Sequence, residues 1–271
     1  MKIAFIGGGN MATALIAGLV KEGAGGTQVH VVDPNPDALA RLAAQYGATT
    51  AGSIDAAVAA VDVIVLAVKP QQMREVAGAL APHLGAKPLV LSLAAGIRGA
   101  DLSRWLGGYG AIVRAMPNTP ALIGMGITGL VALGGVSAEQ RAVADSVLRA
   151  VGQTVWLDDE ALIDPVTAVS GSGPAYVFYF LEAMQAAATE MGLSAEQGKQ
   201  LALATFAGAT ELASQSDESL EVLRQRVTSN GGTTHAAITS MESSGVKASI
   251  IEAMKAAAAR GCELGDELGA T

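Results

Sequence analysis

One cysteine, Cys262, is all that 271 residues contain. A single thiol excludes an internal disulfide framework and fits a reducing compartment. Aromatic residues make up only 4%, so a core has to be built from aliphatic side chains and alanine. Basic residues are outnumbered, 17 Lys and Arg against 25 Asp and Glu, for a formal charge of −8. That balance, without basic clusters, argues against a nucleic-acid footprint. The three histidines, His30, His83 and His235, are scattered, and with one cysteine they form no metal-ligand spacing. No G-x-S-x-G elbow occurs. No apolar run reaches the roughly 18 residues of a bilayer span; the nearest, 56–68, is interrupted by Asp62. The apolar stretch at the N-terminus stops at glycines and is too short for a signal peptide. These absences predict a cytoplasmic protein with no membrane, nucleic-acid or metal partner.

What is present is apolar material, 51% of the chain, in two different patterns. In the first part, strand-like runs at 3–7, 29–32, 63–68, 89–93 and 112–115 alternate with helix-like stretches at 12–21, 36–46, 54–60, 73–80 and 99–106. Apolar strands separated by helices predict parallel β-α-β units with both sheet faces covered. Further strands at 127–133 and 154–157 flank a helix at 138–151. Beyond residue 157 strand signals vanish, and 161–169, 174–191, 195–214, 220–227, 234–243 and 248–268 all read as helices. Pro174 suits a first helical turn, and Ser194 with Gln197 makes a capping box. The helix from Pro174 to Met191 is apolar almost all round, so it requires burial against other helices, a partner's included. The expected class is α/β: an N-terminal Rossmann-type doubly wound sheet, 1–157, followed by a C-terminal all-helical dimerisation domain, 158–271.

The first strand runs into Gly7-Gly8-Gly9-Asn10-Met11-Ala12. Gly7 permits a tight turn, Gly9 lets a phosphate approach the backbone, and Ala12 keeps helix and strand close. The helix opening at Asn10 and Met11 points free N–H groups at that anion. In such a sheet the ligand lies beyond the carboxyl ends of the strands, which selects further residues. Asp33 closes the second strand, where a carboxylate accepts from a ribose 2′-OH and repels a 2′-phosphate; alternatively it caps the next turn. Lys69, in Val68-Lys69-Pro70, either reaches a phosphate or ribose or is solvated. Ala94-Ala95-Gly96 is a small-residue turn with room for a flat ring. Asn118, in Met116-Pro117-Asn118-Thr119-Pro120, offers donor and acceptor on a loop stiffened by two prolines, which is expected to bind the nicotinamide, the substrate or both. A dinucleotide cofactor is implied, with Asp33 leaning toward NAD(H).

A second glycine turn lies far along the chain, in Thr228-Ser229-Asn230-Gly231-Gly232-Thr233-Thr234-His235. Gly231, Gly232 and Thr233 offer backbone N–H groups at a helix start to a small anion such as a carboxylate. The alternative is an N-cap without a ligand. His235 is a weaker acid–base candidate.

These motifs, in this order, together with Ser170-Gly171-Ser172-Gly173-Pro174-Ala175, resemble pyrroline-5-carboxylate reductase, the last enzyme of proline biosynthesis. The resemblance covers essentially the whole chain. It departs at Asn230, where the family commonly has proline, and at His235; neither change removes a functional group. The resemblance implies reduction of 1-pyrroline-5-carboxylate to L-proline by hydride transfer to the C=N carbon. It implies a hydrogen bond near the imine nitrogen from Thr234, a hydroxyl able to donate or accept. It also implies a homodimer or larger assembly through the helical domain, and family habit favours NADP(H). Two rivals remain. A β-hydroxyacid dehydrogenase-like oxidoreductase would place a lysine and an asparagine on the 176–191 helix, which has neither. A non-catalytic dinucleotide-sensing dimer would not need Gly231–Thr234.

Overall fold

The computed structural model describes residues 1–21, 27–86 and 88–270. Its strands are β1 (Lys2–Ile6), β2 (Gln28–Val32), β3 (Thr49–Ala51), β4 (Val63–Leu66), β5 (Leu89–Ser92), β6 (Ile112–Met116), β7 (Gly126–Ala132) and β8 (Gly152–Trp156). They form one eight-stranded sheet in the order β3-β2-β1-β4-β5-β6-β7-β8. Every neighbouring pair is parallel except β6 and β7. The chain winds outward from β1 to β3 and from β4 to β6, so the order reverses between β1 and β4. That is the doubly wound arrangement the sequence predicts.

Alternation along β1 sends Ile3 and Phe5 to one face and Ala4 and Ile6 to the other. The first face packs with Leu15, Ile16, Val147 and Leu148, which come from α1 (Asn10–Lys21) and α5 (Ala138–Arg149). The second packs with Met73, Leu80 and Leu102 from α3 (Met73–Leu80) and α4 (Gly99–Trp105). Helix α2 (Pro36–Tyr46) starts on the Asn35 side chain, which accepts from the N–H groups of Asp37 and Ala38. Truncating a fully buried residue here, such as Ile64 or Leu91, costs about 2–5 kcal/mol.

Three local patterns come out differently from the sequence expectation. The stretch 54–60 holds only a single 3-10 turn, Val58–Ala60, because Asp55 Oδ1 accepts the Ala57 N–H at 2.9 Å and competes with helix. The predicted helix at 161–169 breaks into a 3-10 turn (Glu160–Leu162), α6 (Ile163–Val166) and a π-turn (Thr167–Gly171). Strand β3 had no apolar signal. It is an exposed edge of three residues, recruited by pairing with β2.

The remaining helices are α7 (Gly173–Glu190), α8 (Ala195–Ser214), α9 (Leu220–Arg226), α10 (Thr233–Ser243) and α11 (Val246–Gly269). The chain divides into two compact units. One holds residues 1–172 and the chain's end from Ala256; the other is Gly173–Lys255. The compact units thus part after Ser172, whereas the sequence pattern changes at 157. In the second unit α7 lies along α8, with Gly198 admitting Ala188 closely and Ala202 buried. The Ser194–Gln197 capping box starts α8. Most large apolar side chains of α7 stay outside: Phe178 is 60% and Tyr179 73% exposed. No helix among the described residues is long and apolar enough to cross a membrane.

Candidate cofactor and substrate sites

The glycine turn after β1 sits at the reversal point of the sheet. Gly7 has φ +104°, and a Cβ there would stand 2.7 Å from the Ala67 carbonyl oxygen. Both facts demand glycine. Its N–H donates to the Val32 carbonyl at 2.8 Å, tying the turn to β2. A Cβ on Gly9 would meet open space, so the turn is accessible where an anion would approach. Asn10 and Met11 open α1, whose first N–H groups have no intrahelical acceptor. Ala12 is fully buried, as its packing position requires.

Asp33 does more at the end of β2 than its position suggested. Its Oδ2 accepts the Gly8 N–H at 2.6 Å and its Oδ1 accepts the Asn35 N–H at 2.8 Å. The carboxylate therefore braces the glycine turn and the start of α2 together. Each oxygen keeps acceptor capacity for a further donor.

Beyond β4, Lys69 is exposed and extended, and Pro70 follows at the first position of a one-turn helix. A cleft of about 290 Å³ lies at the carboxyl edge of the sheet, lined by Met11, Val68, Leu93, Met116, Asn118 and Thr119 among others. It gathers residues from behind β1, β4, β5 and β6. Asn118 is buried, and its Oδ1 accepts the Ile127 N–H at 3.0 Å. That bond closes the loop between the antiparallel strands β6 and β7. Ala94 and Gly96 are buried and Ala95 half-buried. Gly96 faces a separate hollow of about 300 Å³ with Arg98, Arg114, Glu160 and Gly265.

Arg114 and Glu160 went unnoticed in the sequence. Arg114 is 5% exposed, on the β6 face otherwise given to aliphatic side chains, and its Nη1 stands 2.7 Å from Glu160 Oε1. That same oxygen accepts the Gly99 N–H at 2.6 Å. An arginine inside the apolar run 112–116 was the available signal, since a buried charge requires a partner.

The second glycine turn belongs to the helical unit. Gly231 has φ +74°, a left-handed turn. Gly232 is the N-cap of α10, with no side chain capping it. A Cβ on Gly232 would lie 2.6 Å from Ser229 Oγ. Thr233 and Thr234 are the first two helical residues and are exposed, as is His235. Their N–H groups occupy the turn where donors lack intrahelical acceptors, and the helix dipole adds positive potential. A helix start of this kind is chemically able to take a small anion.

Comparison with known proteins places both halves. Residues 160–264 match a family model described as pyrroline-5-carboxylate reductase dimerisation. Residues 2–96 match one described as NADP oxidoreductase, coenzyme F420-dependent. A pyrroline-5-carboxylate reductase from Pseudomonas aeruginosa is 48% identical over 99% of this chain and 98% of its own length. The solved structure of a pyrroline-5-carboxylate reductase from Coxiella burnetii is 41% identical, with TM-score 0.91 and 97% of each chain covered. A Plasmodium falciparum pyrroline carboxylate reductase, solved with NADP bound, is 28% identical, with TM-score 0.87 and 98% of each chain covered.

Proposed function

Because the chain belongs to the pyrroline-5-carboxylate reductase family, we propose that it reduces 1-pyrroline-5-carboxylate to L-proline with a reduced nicotinamide dinucleotide. The observation that carries this reading is the accessible glycine turn at the sheet reversal, next to the cleft that Asn118 lines. When bound, the reduced nicotinamide supplies the hydride that reduces the C=N carbon.

The chain's own residues do the rest by binding and orientation. Gly7, Gly9, Asn10 and Met11 hold the pyrophosphate through backbone N–H groups and the α1 dipole. Val68, Lys69, Pro70, Ala94, Ala95, Gly96 and Asn118 flank the cofactor along the carboxyl edge. Gly231, Gly232 and Thr233 take the substrate carboxylate on backbone N–H groups. Thr234 is the catalytic residue, its hydroxyl hydrogen-bonded at the imine nitrogen, where it orients the C=N bond and bears on the nitrogen's proton. A protonated imine is already electrophilic, so orientation is the main demand on the protein.

The cofactor is NADH or NADPH; Asp33 supports NADH, while family habit favours NADPH. A carboxylate fixed on the Gly8 and Asn35 N–H groups repels a 2′-phosphate and accepts from a 2′-OH. The enzyme works in the cytoplasm as a homodimer or larger assembly. Exposed Phe178 and Tyr179 on α7 supply the association surface. In sequence, residues 1–157 serve the cofactor and 158–271 serve substrate binding and self-association.

The test follows reduced-nicotinamide absorbance with NADH and NADPH side by side. The absorbance is expected to fall with 1-pyrroline-5-carboxylate and reduced cofactor, not to rise with a 3-hydroxyacid plus oxidised cofactor, and to stay constant without substrate. Turnover of the 3-hydroxyacid alone would overturn the assignment. A higher kcat/KM with NADPH would overturn the reading of Asp33.

A further inference from the structure

The turn Ala94-Ala95-Gly96 has no side-chain hydrogen bond of its own. None of its residues has a side chain able to hydrogen-bond, so beyond the packing of Ala94 and Gly96 its position depends on what grips its ends. On the strand side, the Leu93 N–H donates to the Leu66 carbonyl of β4 at 3.0 Å. On the helix side the grip comes from two remote segments. Glu160 Oε1 takes the Gly99 N–H. The end of α11 takes Arg98: its Nη2 stands 2.7 Å from Asp266 Oδ1 and donates to the Cys262 carbonyl at 3.3 Å.

Helix α11 is shaped for this contact. A Cβ on Gly265 would stand 3.1 Å from Arg98 Nε, and one on Gly96 would stand 3.1 Å from Leu264 Cβ. One turn further on, the Gly269 carbonyl accepts from Arg104 Nη2 at 2.9 Å. Leu268 packs into the core cluster that holds Ile97 and Leu102. The Arg98 guanidinium beside Asp266 is held above its ordinary basicity by that hydrogen bond. Yet the Arg98 side chain is 41% and that of Asp266 69% exposed, and a pair so open to water adds little to global stability. Two acceptors on the end of α11, Asp266 Oδ1 and the Cys262 carbonyl, therefore orient Arg98 more than they stabilise the fold.

We propose that Arg98, gripped by Asp266 and the Cys262 carbonyl, is a positioning residue that sets the Ala94–Gly96 turn for the cofactor. This rests on the reading of that turn as part of the cofactor site. The last turns of α11 therefore act on cofactor binding without touching the cofactor.

The experiment compares full-length wild type, Arg98→Gln, Arg98→Lys, Asp266→Asn and Ala95→Leu. For each, KM for the reduced cofactor, KM for 1-pyrroline-5-carboxylate, kcat and melting temperature are measured. Arg98→Gln and Asp266→Asn are expected to raise cofactor KM by about 3- to 10-fold, the scale of a small misplacement at a binding surface. Substrate KM should stay within about twofold, and melting temperature nearly unchanged. Arg98→Lys, which keeps the charge, should recover part of the loss. Ala95→Leu tests the underlying reading by filling the turn directly. If Ala95→Leu raises cofactor KM and Arg98→Gln does not, the positioning role is wrong and the site stands. If Ala95→Leu changes nothing, the turn is not part of the site and both fail. A fall in melting temperature with unchanged cofactor KM would make Arg98 a structural residue and overturn the proposal.

Discussion

Two glycine turns each offer a helix N-terminus to an anion, but their surroundings differ. Gly7 is pressed against the Ala67 carbonyl, tied to β2 by its N–H, and followed by a residue whose N–H Asp33 holds. A Cβ on Gly231 would meet nothing and one on Gly232 only Ser229; Gly232 is half-buried, and Gly231, Thr233 and Thr234 are exposed. The same contrast runs through the two units. The sheet unit buries Phe5, Leu15, Ile64 and Leu91 completely, whereas the helical unit leaves Phe178 and Tyr179 outside. The first turn is held by its own chain through the Val32 and Asp33 hydrogen bonds. The second has its donors in place but lacks cover.

The strongest way to break the contrast is Gly7→Ala. A Cβ there meets the Ala67 backbone and φ becomes strained, so the turn must move; a displacement of that kind at a binding site lowers kcat/KM by about 100-fold or more. Cofactor titration and kinetics check it; near-normal cofactor binding would show that the turn is softer than described. Thr234→Ala should act on the other turn, lowering kcat by about 10- to 1000-fold if one oriented hydrogen bond is lost. Its cofactor affinity should hold, and steady-state kinetics indistinguishable from wild type would remove Thr234 from catalysis.

A milder probe addresses the missing cover. Tyr179→Asp should weaken self-association by about 10- to 100-fold, since burying a large apolar side chain contributes about 1.5–3 kcal/mol. Sedimentation over a dilution series reads this directly, and an unchanged assembly would mean that α7 is not the association surface. The smallest effect is expected from Asp33→Ser, which removes the charge facing a 2′-phosphate. The NADPH-to-NADH ratio of kcat/KM should rise about 5-fold. Because the same carboxylate braces Gly8, affinity for both cofactors should fall slightly as well.

Much of the sheet could be read in advance because parallel strands buried on both faces are unbroken apolar runs, as in Val63–Leu66. The edge strand β3 could not, because Thr49 and Thr50 are exposed and only pairing with β2 makes them a strand. The sequence left the direction of β7 open. It runs against β6 because only a short loop, closed by the Asn118–Ile127 hydrogen bond, connects them. Glycine turns were legible because glycine there is a steric requirement local to the chain. The brace from Asp33 to Gly8 and the chain Arg114–Glu160–Gly99 were not. Each joins residues far apart in sequence, and their partners appear only once the sheet is assembled.

Asn118 illustrates how such double duty limits change. Its carbonyl oxygen accepts the Ile127 N–H, and its amide donors remain for anything in the cleft. An aspartate could keep the loop closed but would lose those donors, and an alanine would lose both. Changes meant to widen this cleft should therefore begin at Thr119, which also lines it, since altering the asparagine would change the loop along with the pocket.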